Sequence, residues 1–456
     1  MSLETDETLE ASEASGGSGD VAYGLLRLVM DVRRSEVAAL GWSWLYIFAV
    51  LSSYYIMRPI RDQMGVAGGV NNLPWLFTGT LAGMLILNLP FAYLVKTLPR
   101  SRFIPITNRF FAANILIFAL ALRLADAQQT IWVGRVFFIW ISVFNLFVVS
   151  VFWAMIVDVF SSEQGKRLFG FIAAGATIGA ITGSSVTASL AEHLPPTYLL
   201  IGAALLLELA VFGVRHLSRL SAQLRADPVA NGAERPIGGN VLAGITQAFK
   251  NPYLINTAAF LLLYAITSTL LYFQQAGIVS ANFTDRGAQT AFFAKIDLYV
   301  NVLTLVVQLL LTGRILRLLG VGLTLALLPA LSVVGFGVLA LAPTIAAIVV
   351  FQVIRRAGNF AIARPTREVL FTVVPREDRY KAKNFIDTVV YRTGDQVGAW
   401  SYALIGALGW GGVQMSAIAV ALSLIWLVNS LWLGRRQEEI AAAQALPEPD
   451  AVSATI

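Results

Sequence analysis

The sequence predicts an all-α polytopic membrane protein of twelve transmembrane helices in two six-helix halves. Three observations carry this. First, 57% of residues are hydrophobic and only 13% are charged, against about 25% charged in soluble domains; the mean hydropathy is +0.70. Second, the apolar runs are long and continuous rather than alternating, which fits helices and not a barrel. Third, one long polar gap, His216 to Lys250, contains Pro228, Asn231, Gly232, Pro236, Gly238 and Gly239 and leaves six apolar runs on each side.

In chain order, residues 1–20 are acidic, rich in Ser and Gly, and lack an apolar core, so they read as a disordered tail and not a signal peptide. Residues 21–34 form a short amphipathic stretch with Arg27, Arg33 and Arg34, expected to lie on the membrane surface. Apolar stretches of about 20 residues, the length that crosses a bilayer, fall near 37–57, 73–96, 103–124, 130–158, 166–190 and 197–215, then near 252–278, 288–312, 320–341, 344–373, 380–407 and 412–434. The expected organisation is an N-terminal half at 35–215, a cytoplasmic linker at 216–250, a C-terminal half at 251–436 and a disordered tail at 437–456.

Loop charge sets the orientation. One side holds Arg33 and Arg34, Lys96, Arg100 and Arg102, Lys166 and Arg167, the linker, Arg314 and Arg317, the 376–383 basic run, and Arg435 and Arg436. The other side has short, mostly neutral loops such as 191–196 and 409–413. By the positive-inside rule both termini are cytoplasmic in a bacterial inner membrane. The net charge of +6 then reports these loops and the lipid bilayer they meet, not a nucleic-acid partner. With no cysteine, and only His193 and His216, neither a disulfide framework nor a metal site is expected; no cofactor constellation stands out, and a monomer is expected. The junctions 158–170 and 371–385 both run from an aliphatic helix end through an acidic turn into a basic helix start, at an offset of about 215 residues. This reads as a parallel internal repeat of the major-facilitator-like kind.

Charges inside the spans are the functional signal, because each Arg or Lys at the centre of a membrane helix costs about 2.5–3.5 kcal/mol on insertion scales. Within the tenth span, the run Val349 to Val369 carries Gln352, Arg355, Arg356 and Asn359, and then Arg364, Arg367 and Glu368. Arg355 lies about 16 Å in from Thr344 at 1.5 Å per residue, near mid-bilayer. Guanidinium groups suit bidentate recognition of phosphate or carboxylate, so these arginines are candidate ligands for an anion. The bland alternative pairs them with Asp387 and Asp395 of the eleventh span. That span also carries Lys381, Lys383, Tyr391, Arg392 and Gln396, with Lys383, Asp387, Tyr391 and Asp395 at four-residue spacing as one polar stripe. Asp387 or Asp395 is placed to carry a coupling proton or to neutralise an arginine.

The first span ends with Arg58, Pro59, Arg61 and Asp62. Pro59 is expected to break the helix there, and the two arginines are either substrate contacts or interfacial snorkelling groups. Lys295 and Asp297 are two residues apart in the eighth span, so they point to different faces and each needs a partner elsewhere. Gly175, Gly179 and Gly183 at four-residue spacing in the fifth span make a small-residue face for close helix packing. Tyr264, Tyr272, Trp153 and Tyr391 are aromatics that a base could stack on. No Walker loop is present: the only Gly-Lys pair, Gly165-Lys166, has Phe160 where such a loop requires glycine. This favours a secondary transporter over an ATP-driven pump.

Three patches carry a family resemblance: Met57 to Asp62, residues 152–175, and Arg364 to Val369 continuing through Val374 to Thr388. In these the chain resembles the ATP:ADP antiporter family, the nucleotide transporters of plastids and obligate intracellular bacteria, and within it the branch from free-living bacteria. The resemblance implies twelve spans, a major-facilitator-like fold and a substrate that is a small organic anion such as a nucleotide. It places Arg61 where the nucleotide exchangers usually have lysine, Asp158 where they usually have glutamate, and Lys381 and Lys383 on the family's basic pair. Residues and resemblance together predict a non-enzymatic secondary transporter working by alternating access. Arg58, Arg61, Arg355, Arg356, Asn359, Arg392, Lys381 and Lys383 are its substrate-side groups. Asp62, Asp158, Lys295, Asp297, Asp387 and Asp395 are its coupling or charge-pairing groups. The alternatives are an exporter or flippase of another anionic or amphipathic solute, and a transporter-like protein that no longer transports.

Overall fold

The computed structural model describes Tyr23 and residues 31–98, 100–224, 251–375 and 382–445. The acidic tail, residues 21, 22 and 24–30 of the surface stretch, most of the linker, and Lys381 lie outside the described residues. Six helices form the first half: α1 (Val37–Ala67), α2 (Leu73–Thr97), α3 (Arg100–Leu124), α4 (Ala127–Val159), α5 (Ser162–Leu190) and α6 (Pro196–Leu224). The second half begins with α7 (Pro252–Asn282), α8 (Arg286–Leu310) and α9 (Thr312–Leu341). It continues with α10, built from Ile345–Gly358, a π turn at Asn359–Ala363 and Arg364–Leu370. Then come α11, from a π turn at Ile386–Val390 into Tyr391–Ala407, and α12 (Gly412–Ala445). Among the described residues, eleven helices are long and apolar enough to cross a membrane. The twelfth, α11, is interrupted by Arg392, Asp395 and Gln396, the polarity that made it a site candidate.

Local sequence accounts for many of the helix starts. Asp126 and Ser161 each cap α4 and α5 by accepting the backbone N–H three residues on, and Gln129 and Gln164 reach back to complete capping boxes. Asp285 and Thr344 cap α8 and α10 by accepting the N–H three residues on, and Asn251 caps α7 by accepting from Tyr253 two residues on. Four boundaries differ from expectation. Pro59 does not end α1, which runs on to Ala67 with Pro59 buried in it; surrounding packing satisfies what the proline disrupts, as bundles allow. The α6 helix continues past residue 215 to Leu224, and α12 past 436 to Ala445. There Gln444 donates to the Val373 carbonyl, which holds the final turns against the body. Finally, α9 is two helices joined at Gly320, whose φ of +70° is open to glycine and strained for other residues.

The N-terminal half packs around α1. A Cβ at Gly179 would lie 2.5 Å from the Phe48 carbonyl oxygen and one at Gly175 2.9 Å from Trp44, so the glycine face of α5 lets the two backbones touch. Ser52 uses that closeness, donating to the Gly179 carbonyl at 3.0 Å. In the C-terminal half Gly322 of α9 meets Gly434 of α12 in the same fashion. The halves meet along α1 and α8, α5 and α8, and α2 and α11, the last two pairs being equivalents under the internal repeat.

Candidate functional site

Contacts between the halves concentrate at the end of the bundle that carries the loops near 191–195 and 283–285. Gln63 donates to Gln289 at 3.4 Å, Thr78 to Gln396 at 2.9 Å, and the Trp400 indole to Thr78 at 3.1 Å. Trp75 packs edge-on against Trp400, and Phe77 against Tyr272 and Phe273. At the opposite end, Arg167 pairs with Glu36 within the first half, and Arg367 with Asp387 and Lys383 with Glu368 within the second.

The innermost part of this seam is charged. Asp297 of α8 has a side chain only 2% exposed, and one of its oxygens, Oδ1, takes two guanidiniums at 2.8 Å each: Arg58 from α1 and Arg356 from α10. One carboxylate thus holds both halves. The cluster is incomplete, since Asp297 Oδ2 and Arg356 Nη2 are both buried without a hydrogen-bond partner. One turn further along α1, Arg61 donates through Nε and Nη2 to Asp62 Oδ1 at 3.0 and 2.6 Å. Tyr272 of α7 donates its hydroxyl to the same oxygen at 3.1 Å. The Arg61 guanidinium also lies 5.0 Å over the Phe138 ring. Three guanidiniums therefore face two carboxylates in these two ion clusters, a net charge of +1, with 14–18% of each arginine side chain still accessible. An anionic group is what such an arrangement lacks.

Arg355, expected beside Arg356 as a substrate contact, is placed elsewhere. It is 2% exposed and lies wholly inside the C-terminal half. Its Nε donates to Ser332 at 3.0 Å, Nη1 to Ser268 at 2.9 Å and Nη2 to Thr267 at 2.7 Å. Each hydroxyl gives its own hydrogen to a carbonyl of its own helix, Leu328, Tyr264 and Leu263 respectively, so its lone pairs are free for the guanidinium. Tyr264 and Trp426 lie at 5.2 and 5.9 Å from the charge. The physical reason for the divergence is the 100° step between consecutive helical residues, which turns Arg356 to the seam and Arg355 to α7 and α9.

The pairing expected between the α10 arginines and α11 forms at Arg367, which meets Asp387 at 2.9 Å. Arg356 instead pairs with Asp297, and Asp395 with Arg392 on its own helix at 3.0 Å and with Thr269 of α7 at 3.3 Å. Lys383, Asp387 and Tyr391 are half-buried and Asp395 is buried; the π turn at Ile386–Val390, with more residues per turn than an α-helix, keeps residues four apart near one face. Asn359 is buried at the start of the other π turn, where Thr312 donates to the Ala361 carbonyl at 2.8 Å. Lys295 reaches Glu192 at 3.6 Å, and Asp158 sits half-buried near the end of α4. Of the aromatic candidates, Tyr272 belongs to the seam, Tyr264 and Tyr391 lie 6.4 Å apart in the C-terminal half, and Trp153 packs on Phe152 and Phe169. Sequence reasoning passed over Thr267, Ser268 and Ser332, and over Gln63, Thr78, Gln289 and Trp400. Single polar residues in apolar runs were the available signal.

No protein-family model matches the chain. It is similar to ADP,ATP carrier protein 1 of Chlamydia pneumoniae, with 20% identity over 509 aligned residues that cover 93% of this chain and 98% of the carrier. Its fold is that of solved major-facilitator-type transporters. A bacterial homologue of the human lysosomal transporter Spinster, in an inward-facing and unoccupied conformation, superposes with a TM-score of 0.56 at 12% identity, covering 90% of this chain and 99% of that one. The peptide transporter POT gives 0.58 at 13%, covering 87% and 95%, and the nucleoside transporter NupG 0.55 at 15%, covering 90% and 99%.

Proposed function

We propose that this chain is a secondary active transporter of the bacterial inner membrane that exchanges small organic anions by alternating access, with nucleotides the first class to test. The nucleotide reading is supported by the carrier it resembles along nearly its whole length. The single observation that carries the mechanism is the shared Asp297 carboxylate. Alternating access requires the halves to separate at the seam, and that separation pulls Arg58 away from Asp297. Breaking a buried ion pair without replacement costs about 3–5 kcal/mol. A phosphate or carboxylate of the substrate, bound between Arg58 and Arg356, replaces the Asp297 oxygen and lowers this cost. The empty protein is thereby held closed at the seam and the loaded one is free to open it, which is the requirement for exchange rather than net flux. With both termini on the cytoplasmic side by loop charge, the seam closes the outer face. Arg61 adds a second anion contact.

The test is uptake of labelled ATP by purified protein in liposomes. Vesicles preloaded with ADP are expected to accumulate label, and empty vesicles to do so at a small fraction of that rate. Equal uptake by loaded and empty vesicles would overturn the exchange mechanism. Failure to bind or move any of a panel of nucleotides and other organic anions would overturn the transporter itself.

A further inference from the structure

The outer faces of the two halves differ in one respect that transport does not explain. On the N-terminal half, α3 and α6 present a stripe of exposed apolar side chains that includes Ile106, Phe110, Leu205 and Phe212. In the middle of that stripe stand Arg109 and Glu208. Arg109 is about 13 Å along α3 from Arg100 and Glu208 about 18 Å along α6 from Pro196, counted at 1.5 Å per residue, so both lie within a hydrocarbon core about 30 Å thick. Their side chains are 48% and 47% exposed, and the bonds between them are loose, at 3.3–3.4 Å. Arg109 Nη1 makes none of these bonds. The corresponding face of the C-terminal half, α9 and α12, has no charged residue between Leu318 and Leu341 or between Gly412 and Gly434. An ion pair half-open to lipid is costly, and nothing in the seam or in the Arg355 cluster touches it.

We propose that this face is where a second copy of the chain docks, through α3 and α6, across a two-fold axis. The pair is self-complementary: under two-fold symmetry Arg109 of each copy meets Glu208 of the other, giving a closed four-charge cluster in which the free donors find acceptors. Interhelical polar bonds of this kind hold membrane helices together where no hydrophobic force does. Small residues on the same stripe permit the approach. Ala113 is exposed, and a Cβ added at Gly202 would meet nothing within 4 Å. The monomer expected from the sequence is then the transport unit within a dimer.

The chain has no cysteine, so the test is clean. Leu205→Cys and, separately, Ala113→Cys are treated in native membranes with a short bis-maleimide. Each is expected to give a dimer band, while Leu327→Cys on the C-terminal face stays monomeric. Arg109→Leu in the Leu205→Cys background is expected to lower the cross-linked fraction about three- to tenfold, the scale of one or two interhelical hydrogen bonds in a bilayer. Arg109→Glu combined with Glu208→Arg should restore it. Monomer bands for both N-terminal cysteines, cross-linking at Leu327→Cys as strong as at Leu205→Cys, or an unchanged yield with Arg109→Leu would each overturn the dimer and leave the pair facing lipid.

Discussion

The seam and the cluster around Arg355 are built from the same materials, buried guanidiniums held by short polar side chains, and they do opposite things. In the seam, the partner of Arg58 sits on the other half of the molecule, so under the proposed mechanism the bond is remade each time the seam opens. Around Arg355 every partner belongs to α7 or α9 of the same half, so the bonds move as one body. Two residues adjacent in the chain differ accordingly: Arg355 is held inside the C-terminal half, while Arg356 shares its partner Asp297 with Arg58 of the other half. The comparison teaches that buried arginines of like charge can differ in whether their partners lie within one half or across the seam.

The sharpest way to break the comparison is Asp297→Ala, which leaves Arg58 and Arg356 facing each other across the seam without a carboxylate. The loss is about 3–5 kcal/mol of closure, and its sign favours opening. A cysteine placed at Gln63 should react with an impermeant maleimide from outside much faster in this background, while the thermal unfolding midpoint changes little. An unaltered labelling rate would mean that Asp297 is not what holds the seam. The next largest effect is expected at Arg355→Ala. It removes four hydrogen bonds and leaves a cavity beside Trp426, at a cost of about 2–4 kcal/mol. Here the thermal midpoint in detergent should fall by several degrees, and the cysteine at Gln63 should label as slowly as before. If accessibility rises instead, Arg355 is a latch as well. A smaller effect belongs to Thr78→Val, which deletes a hydroxyl that donates to Gln396 and accepts from Trp400. Neutral bonds contribute about 0.5–1.5 kcal/mol each, so labelling at Gln63 should rise only a few-fold.

How much of this was legible beforehand follows the range of the interactions. The helices, their number and the two halves come from composition and local period, and those are written along the chain. Gly175, Gly179 and Gly183 were legible as a packing face, because the spacing alone places them on one side. The Arg58–Asp297 pair was not legible, since the two are 239 residues apart and no periodicity connects residues on different halves. Pro59 misled because its local cost is real and only tertiary packing offsets it. The π turn at Ile386–Val390 was not legible, since no residue type in that run marks it. The partners of Arg355 were not legible either: the hydroxyls of Thr267, Ser268 and Ser332 that hold it look, in sequence, like ordinary small residues.

The smallest expected effect gives the comparison its edge. Lys295 and Glu192 also lie on opposite halves, so partner address alone would make them a second latch. They differ from Arg58 and Asp297 in exposure: both side chains are about half accessible, at 50% and 45%, whereas Asp297 is nearly sealed. Exposed ion pairs contribute about 0–1 kcal/mol, because solvent screens the attraction and two long side chains lose freedom to hold it. Lys295→Gln should therefore leave Gln63 labelling, exchange rate and thermal midpoint all within error of the parent. A clear increase in labelling would show that crossing the seam is sufficient. No change, set beside a large change for Asp297→Ala, would show that a latch needs both conditions: partners on opposite halves, and burial deep enough that separation leaves a charge with nowhere to go.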